Sequence, residues 1–228
     1  MSGIKRRHQD TRVTPNEHRA HGTSPTSFAN EVIAKVRRVE IGIRLNDRQP
    51  VFGDAHARLD WHTGLMTQPF RLSFVCTGNI CRSPMADVIF RALAERAGAS
   101  DRFEVMSSGT HGYHIGEGAD PRTAAALAAA GYDGNRHQAS QLSETEVRDF
   151  DLLIALDRGH EQILLRRGVT PDRIALLTEF DPEQPKDPDV FDPYYSDEQA
   201  FVRVLAQIER SCAVLLTRLT EQIERPAQ

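Results

Sequence analysis

From residue 70 onward the chain alternates two apolar patterns. Short dense runs recur at Arg71-Leu72-Ser73-Phe74-Val75, Phe103-Glu104-Val105-Met106-Ser107, Asp151-Leu152-Leu153-Ile154-Ala155-Leu156 and Arg173 to Leu177. Each has the length and bounded character of a strand. Longer stretches with helical spacing lie between them. Met85, Val88, Ile89, Ala92 and Leu93 recur at i, i+3, i+4, i+7 and i+8, and Gly98 supplies a stop. Pro121 to Gly131 is an alanine-rich helix, and Asp157 to Arg167 a further one. The stretch from Ser196 to Gln222 carries Phe201, Val204, Leu205, Ile208, Cys212, Leu215, Leu216 and Leu219 along one face. Cys212 is therefore expected in the core. Strand and helix in alternation predict an α/β fold: a four-stranded parallel sheet, doubly wound and flavodoxin-like, with helices on both faces. In such a sheet ligands bind at the carboxyl ends of the strands.

Upstream of residue 70 the pattern weakens. Residues 1–27 are polar and are expected to be disordered. Phe28, Val32, Ile33, Val36 and Val39 form a passable helical stripe, followed by alternating Ile41, Ile43 and Leu45. Residues 46–69 are turn-rich. The expected division is an N-terminal extension over 1–69 and a folded domain over 70–228. Met66 is a plausible start for the bare domain, so the upstream stretch is either a genuine extension or translated leader.

Charge supports that division. Residues 1–69 carry 11 Lys and Arg against 7 Asp and Glu, whereas residues 70–228 carry 17 against 25. An opposite balance of this kind marks an appended segment. The basic residues are scattered rather than gathered in a stripe, so nucleic acid is not an expected partner. The chain has no run of 18 apolar residues, and the Arg6-Arg7 pair has no apolar stretch behind it, so neither a membrane span nor an export signal is expected. Three cysteines, two of them in one loop, do not make a disulfide framework and fit a reducing cytoplasm. No His-x3-His or Cys-x2-Cys spacing appears, so no metal is expected.

The candidate chemistry lies where the first strand meets the first helix, at Val75-Cys76-Thr77-Gly78-Asn79-Ile80-Cys81-Arg82-Ser83-Pro84. Gly78 allows a turn with positive φ, letting successive N–H groups converge. Ser83 suits the helix N-cap and Pro84 the first helical position. The positive end of the helix then faces the loop, where convergent amides and Arg82 can bind a tetrahedral dianion. Those surroundings favour the thiolate of Cys76, the expected nucleophile. Arg82 presents a planar fork matching two phosphoryl oxygens. Besides capping, the Ser83 hydroxyl can donate to the Cys76 thiolate when it departs. Cys76 and Cys81 are also placed for a reversible disulfide that would protect the nucleophile from over-oxidation, the alternative being that Cys81 only packs.

This loop resembles the signature of the low-molecular-weight protein tyrosine phosphatases, Cys-x5-Arg-Ser near the start of the domain, and Asp192-Pro193-Tyr194-Tyr195 far downstream adds a second matching motif. The resemblance spans roughly residues 70 to 222 and implies the same doubly wound fold. It implies that Cys76, Arg82 and Asp192 are catalytic and that Thr77, Gly78, Asn79, Ile80, Cys81 and Ser83 bind phosphate. It further implies that Asn79, Ser107 and His137 hold the loop in shape. Tyr113 and His114 are expected on one crevice wall, with Tyr194 and Tyr195 on the other. Asp192 is the expected general acid, because a phenolate leaving group needs a proton; Asp187, also before a proline, is the alternative. No cofactor is implied. The implied partner is a tyrosine-phosphorylated protein, a tyrosine kinase being one candidate, with oligomeric state left open.

The arginine-phosphatase branch of the family carries threonine where this chain has Ile80, which points to phosphotyrosine. A thiol-dependent arsenate reductase resembles this fold and loop, but needs two further relay cysteines, and this chain offers only Cys212. A non-enzymatic anion-binding module would need neither nucleophile nor acid.

Overall fold

The structure, a computed structural model, describes residues 59–60, 65–66 and 68–224. The helix and strand expected within 28–45 lie outside the described residues. A two-residue antiparallel pair, β1 (Leu59–Asp60) with β2 (Leu65–Met66), stands in the stretch read as turn-rich. The main sheet follows, with β3 (Phe70–Cys76), β4 (Phe103–Gly109), β5 (Leu152–Ala155) and β6 (Ile174–Leu176). Its order is β4-β3-β5-β6 and every pairing is parallel. The chain thus starts the sheet in its interior and winds outward in both directions, the doubly wound arrangement expected of alternating strands and helices.

The helices are α1 (Arg82–Arg96), α2 (Pro121–Ala129), α3 (Arg158–Arg166) and α4 (Glu198–Glu224). Side chains alternate across the sheet with period two. Phe70, Leu72 and Phe74 of β3 and Leu152 and Ile154 of β5 face one cluster, with Met85, Ile89 and Phe90 of α1 and Phe201, Ile208 and Leu215 of α4. Val75, Leu153 and Ala155 face the opposite cluster, with Leu164 of α3 and Ile174 and Leu176 of β6. Because both faces are covered, β5 reads as an unbroken apolar run.

On α1 the buried face is rotated from the expected stripe. Phe90 and Ala86 are fully buried, whereas Val88 and Ala92 are only partly buried. Phe90 fits between Phe74 and Phe103, ring centroids 5.8 and 5.4 Å away, which turns the helix toward β3 and β4. Gly98 ends the helix with φ +66, and its N–H bonds the Glu95 carbonyl. Cys212 lies on the buried face of α4 with no exposure, as its spacing predicts, and its Sγ is 3.8 Å from the Ala86 carbonyl oxygen.

Leu215 has no exposed surface in the cluster that joins α4 to the sheet. Leu215→Ala is expected to lower unfolding stability by about 2–5 kcal/mol, the range for a buried leucine truncation, measured by urea denaturation.

Candidate active site

β3 delivers Cys76 to the carboxyl edge of the sheet. Its carbonyl accepts the Thr110 N–H at 2.8 Å and the Thr77 carbonyl accepts the His111 N–H at 3.0 Å, tying the loop to the segment after β4. The sharp turn does not fall on Gly78 as expected. The left-handed residue is Asn79, with φ +58, a conformation that asparagine tolerates better than most side chains. Gly78 matters for a different reason: a Cβ there would stand 2.9 Å from the His114 ring and push it aside.

Asn79 holds its own strained backbone through its side chain. Nδ2 donates to Ser83 Oγ at 2.8 Å and Ser107 Oγ at 3.0 Å, and Oδ1 accepts the Ser140 N–H at 2.9 Å. His137 Nε2 lies 2.6 Å from the Asn79 carbonyl oxygen. Among the described residues, no protein acceptor takes the N–H groups of residues 78 to 82, which remain free for an anion.

Ser83 departs from its expected capping role. The helix begins at Arg82, and Cys81 is its N-cap with no side-chain cap bond. Pro84 is accordingly the third helical residue. The Ser83 hydroxyl is engaged by Asn79 and lies 2.9 Å from Cys76 Sγ, so it faces the sulfur rather than the helix end. The three cysteines are free thiols. Burial pushes the Cys81 thiol up to about 12, with the negative charges of Asp120 and Cys76 adding to the effect. At neutral pH Cys81 therefore stays protonated.

Arg82 is 3% exposed and carries its charge among carboxylates. Nη1 donates to Asp157 Oδ2 at 2.7 Å and to the Val190 carbonyl at 3.1 Å, while Nη2 donates to Asp192 Oδ2 at 2.7 Å. Burial pushes the Asp157 carboxyl up, but its contacts with His160 and the Arg82 charge outweigh that and hold it well below the usual carboxylate range. Asp157 is the N-cap of α3, its Oδ1 accepting the His160 N–H at 2.9 Å. Sequence reasoning did not single out Asp157. The available signal was its place two residues after β5, at the carboxyl edge where open α/β sheets bind ligands.

Asp192 reaches the site and Asp187 does not. Asp187 lies 3.5 Å from Arg158, which is held more closely by Asp189, and it accepts the Asp189 N–H. Arg122 was also missed. It donates to Asp120 and to the Tyr194 and Ser196 carbonyls, bracing the aromatic loop, and its guanidinium lies 4.4 Å from the centre of the Phe201 ring. The Asp120 N–H in turn bonds the Ile80 carbonyl at 2.9 Å.

The result is a crevice of roughly 240 Å³ with Cys76, Thr77, Gly78, Ile80, Cys81 and Arg82 in its floor and Tyr113, His114, Asp192, Tyr194 and Tyr195 around it. The His114 and Tyr194 rings flank it with centroids 6.4 Å apart. Tyr113 stacks on His111 at 5.2 Å, and Tyr195, 96% exposed, stands edge-on to Tyr194 at the rim. A negatively charged head would meet free amides and a guanidinium at the bottom, and a flat apolar body would meet rings at the mouth.

Comparison with known proteins finds relatives of one family. The family model described as low molecular weight phosphotyrosine protein phosphatase matches residues 71–225. A low molecular weight protein-tyrosine-phosphatase of Streptomyces coelicolor is 45% identical over 159 residues, covering 68% of this chain and 96% of that protein. Among solved structures, a protein tyrosine phosphatase from Entamoeba histolytica superposes with a TM-score of 0.63 at 30% identity, covering 67% of this chain and 98% of its own. The YwlE arginine phosphatase of Bacillus subtilis, solved with a phosphorylated active-site serine, has a TM-score of 0.60 at 30% identity, with 67% and 97% covered.

The Asn79 side chain makes three hydrogen bonds that hold the loop, each worth roughly 1 kcal/mol. Asn79→Ala is expected to lower kcat/KM for an aryl phosphate by about 10–100-fold with the sheet intact, checked by steady-state kinetics beside far-UV circular dichroism.

Proposed function

The chain belongs to the low molecular weight phosphotyrosine protein phosphatase family, and on that premise we propose that it hydrolyses phosphotyrosine in proteins through a phosphocysteine intermediate. The observation that carries the mechanism is the 2.7 Å pair of Arg82 with Asp192 in the crevice that holds Cys76. One crevice thus combines a nucleophile, an anion clamp and an acid.

In the first step Cys76 Sγ attacks phosphorus in line as the bond to the tyrosine oxygen breaks. The free amides of residues 78–82 and the Arg82 guanidinium stabilise charge on the three equatorial oxygens. Substrate phosphoryl oxygens compete with Asp192 for Nη2 of Arg82, while Asp157 keeps its grip on Nη1. Asp192, released from Arg82 and protonated from solvent beside the leaving group, passes that proton to the tyrosine oxygen. In the second step its carboxylate takes a proton from water, which attacks phosphorus, and the sulfur–phosphorus bond breaks. Ser83 Oγ, 2.9 Å from Cys76 Sγ, donates to the thiolate as it leaves. No step calls for a cofactor.

The walls favour phosphotyrosine. Ile80 is apolar and lines the floor, and the His114 and Tyr194 rings line the crevice, where a phenyl ring can pack against them. The expected partner is a tyrosine-phosphorylated protein, a tyrosine kinase being one candidate, met in the cytoplasm. Among the described residues no helix is long and apolar enough to cross a membrane. Residues 1–69 are read as an extension to this domain, in keeping with a family match that begins at 71.

Two variants test the chemistry. Cys76→Ser is expected to abolish turnover while still binding phosphate, because the amides and Arg82 remain; a tenth of wild-type kcat would rule out the covalent route. Asp192→Asn is expected to cost on the order of 10²–10⁴-fold with tyrosine as leaving group, the usual worth of general acid catalysis. The loss should shrink with more acidic phenols, and equal losses for good and poor leaving groups would remove Asp192 from that role.

Substrate class is tested by assaying phosphotyrosine, phosphoarginine and phosphoserine peptides alongside arsenate reduction. Phosphotyrosine is expected to give the highest kcat/KM. Preference for phosphoarginine would move the reading to the chemistry named for the YwlE neighbour, and thiol-dependent arsenate turnover would move it to a reductase.

A further inference from the structure

Thr77 and Arg82 stand at opposite ends of the anion loop, and one buried side chain connects them from behind. His160, in the first turn of α3, is 3% exposed. Its Nε2 lies 3.0 Å from Thr77 Oγ1. Its Nδ1 lies 2.9 Å from Asp157 Oδ1, in ion-pair reach but without hydrogen-bond alignment. Asp157 holds Arg82 Nη1 through its other oxygen at 2.7 Å. The order in space is therefore Thr77, His160, Asp157, Arg82.

Burying an imidazole is costly unless its nitrogens are matched. An apolar side chain would fill this position beside Leu164 without leaving Nδ1 short of a hydrogen bond. A bare Nδ1 lone pair 2.9 Å from a carboxylate oxygen would be repelled, so the proton belongs on Nδ1 and Nε2 is left to accept from the Thr77 hydroxyl. The backbone N–H of His160 already caps α3 on Asp157, so the helix start does not need the ring. What only the ring supplies is the link across to Thr77.

We propose that His160 is a positioning residue for phosphate: it locks Thr77 at one end of the loop to the carboxylate that aims Arg82 at the other, so that the cradle keeps its width from one turnover to the next. Asp157 fixes the direction of the guanidinium, and His160 fixes the loop relative to it. The proposal rests on the anion-binding part of the phosphatase reading and is independent of the covalent step.

The test is a double-mutant cycle read by calorimetric titration of inorganic phosphate, which needs no turnover. Thr77→Val and His160→Ala each remove the same contact. Each is expected to weaken phosphate binding roughly 3–10-fold, the worth of one hydrogen bond. The double variant should bind no worse than the weaker single, because one interaction is lost twice. His160→Gln, long enough to reach Thr77, is expected to recover most of the affinity lost in His160→Ala, and replaces it in the cycle if His160→Ala does not fold. Additive losses, or unchanged phosphate affinity in folded Thr77→Val, would overturn the proposal. A purely structural histidine would lower the melting temperature and leave phosphate affinity of the folded protein unchanged. If the unaltered chain did not bind phosphate, the anion-binding reading itself would fall and this proposal with it; binding with an additive cycle sinks this proposal alone.

Discussion

An anion cradle demands that several backbone N–H groups aim at one point and stay unbonded to the protein. Left alone, such a loop would collapse into turn hydrogen bonds of its own. Asn79 prevents this here. Its left-handed backbone turns the chain, and its carboxamide reaches Ser83, Ser107 and the Ser140 amide. These partners come from α1, from β4 and from the segment after α2, so the loop's shape depends on the packing of the whole domain. His137 closes the arrangement from behind at the Asn79 carbonyl.

Arg82 introduces the opposite requirement, a buried cation that needs compensation. Removing a partner from such a charge is strongly destabilising, and here two carboxylates share the task. Asp157 comes from the end of β5, is well below the usual carboxylate range and is locked by α3. Asp192 comes from the loop before α4, and its side chain is about half exposed. The inner carboxylate is suited to permanent pairing. The outer one is suited to exchange with a substrate oxygen and then to proton transfer. Two acids of the same type thus divide the work according to how deeply each is held.

The crevice mouth is built from loops braced to that charged floor. Arg122 joins Asp120, the Tyr194 carbonyl and the Phe201 ring, so the aromatic wall is set from the α4 side. His114 can approach the floor closely only because residue 78 lacks a Cβ. Tyr113 and Tyr195 remain largely exposed at the rim, where a protein substrate would meet them before its phosphate reached Cys76.

The sequence by itself determined what local rules govern. Short dense apolar runs marked the strands, period-3.6 patterning marked the helices and the buried face of α4, and alternation gave the parallel, doubly wound sheet. The loop from Cys76 to Arg82 was legible because its chemistry lies in residues close together in the chain, and Asp192-Pro193 only because the resemblance to the family marks it. Tertiary structure decided the rest, because those features depend on partners far apart in sequence. Phe90 became the core of α1 because Phe74 and Phe103 flank it, not because of its spacing. The left-handed turn passed from Gly78 to Asn79 because serines from three segments could hold the asparagine side chain. Ser83 faces Cys76 instead of capping the helix because its oxygen accepts from Asn79 and its hydroxyl is turned to the sulfur. Asp157 and His160 carry no motif, and only the pairing of β3 with β5 brings them behind the loop.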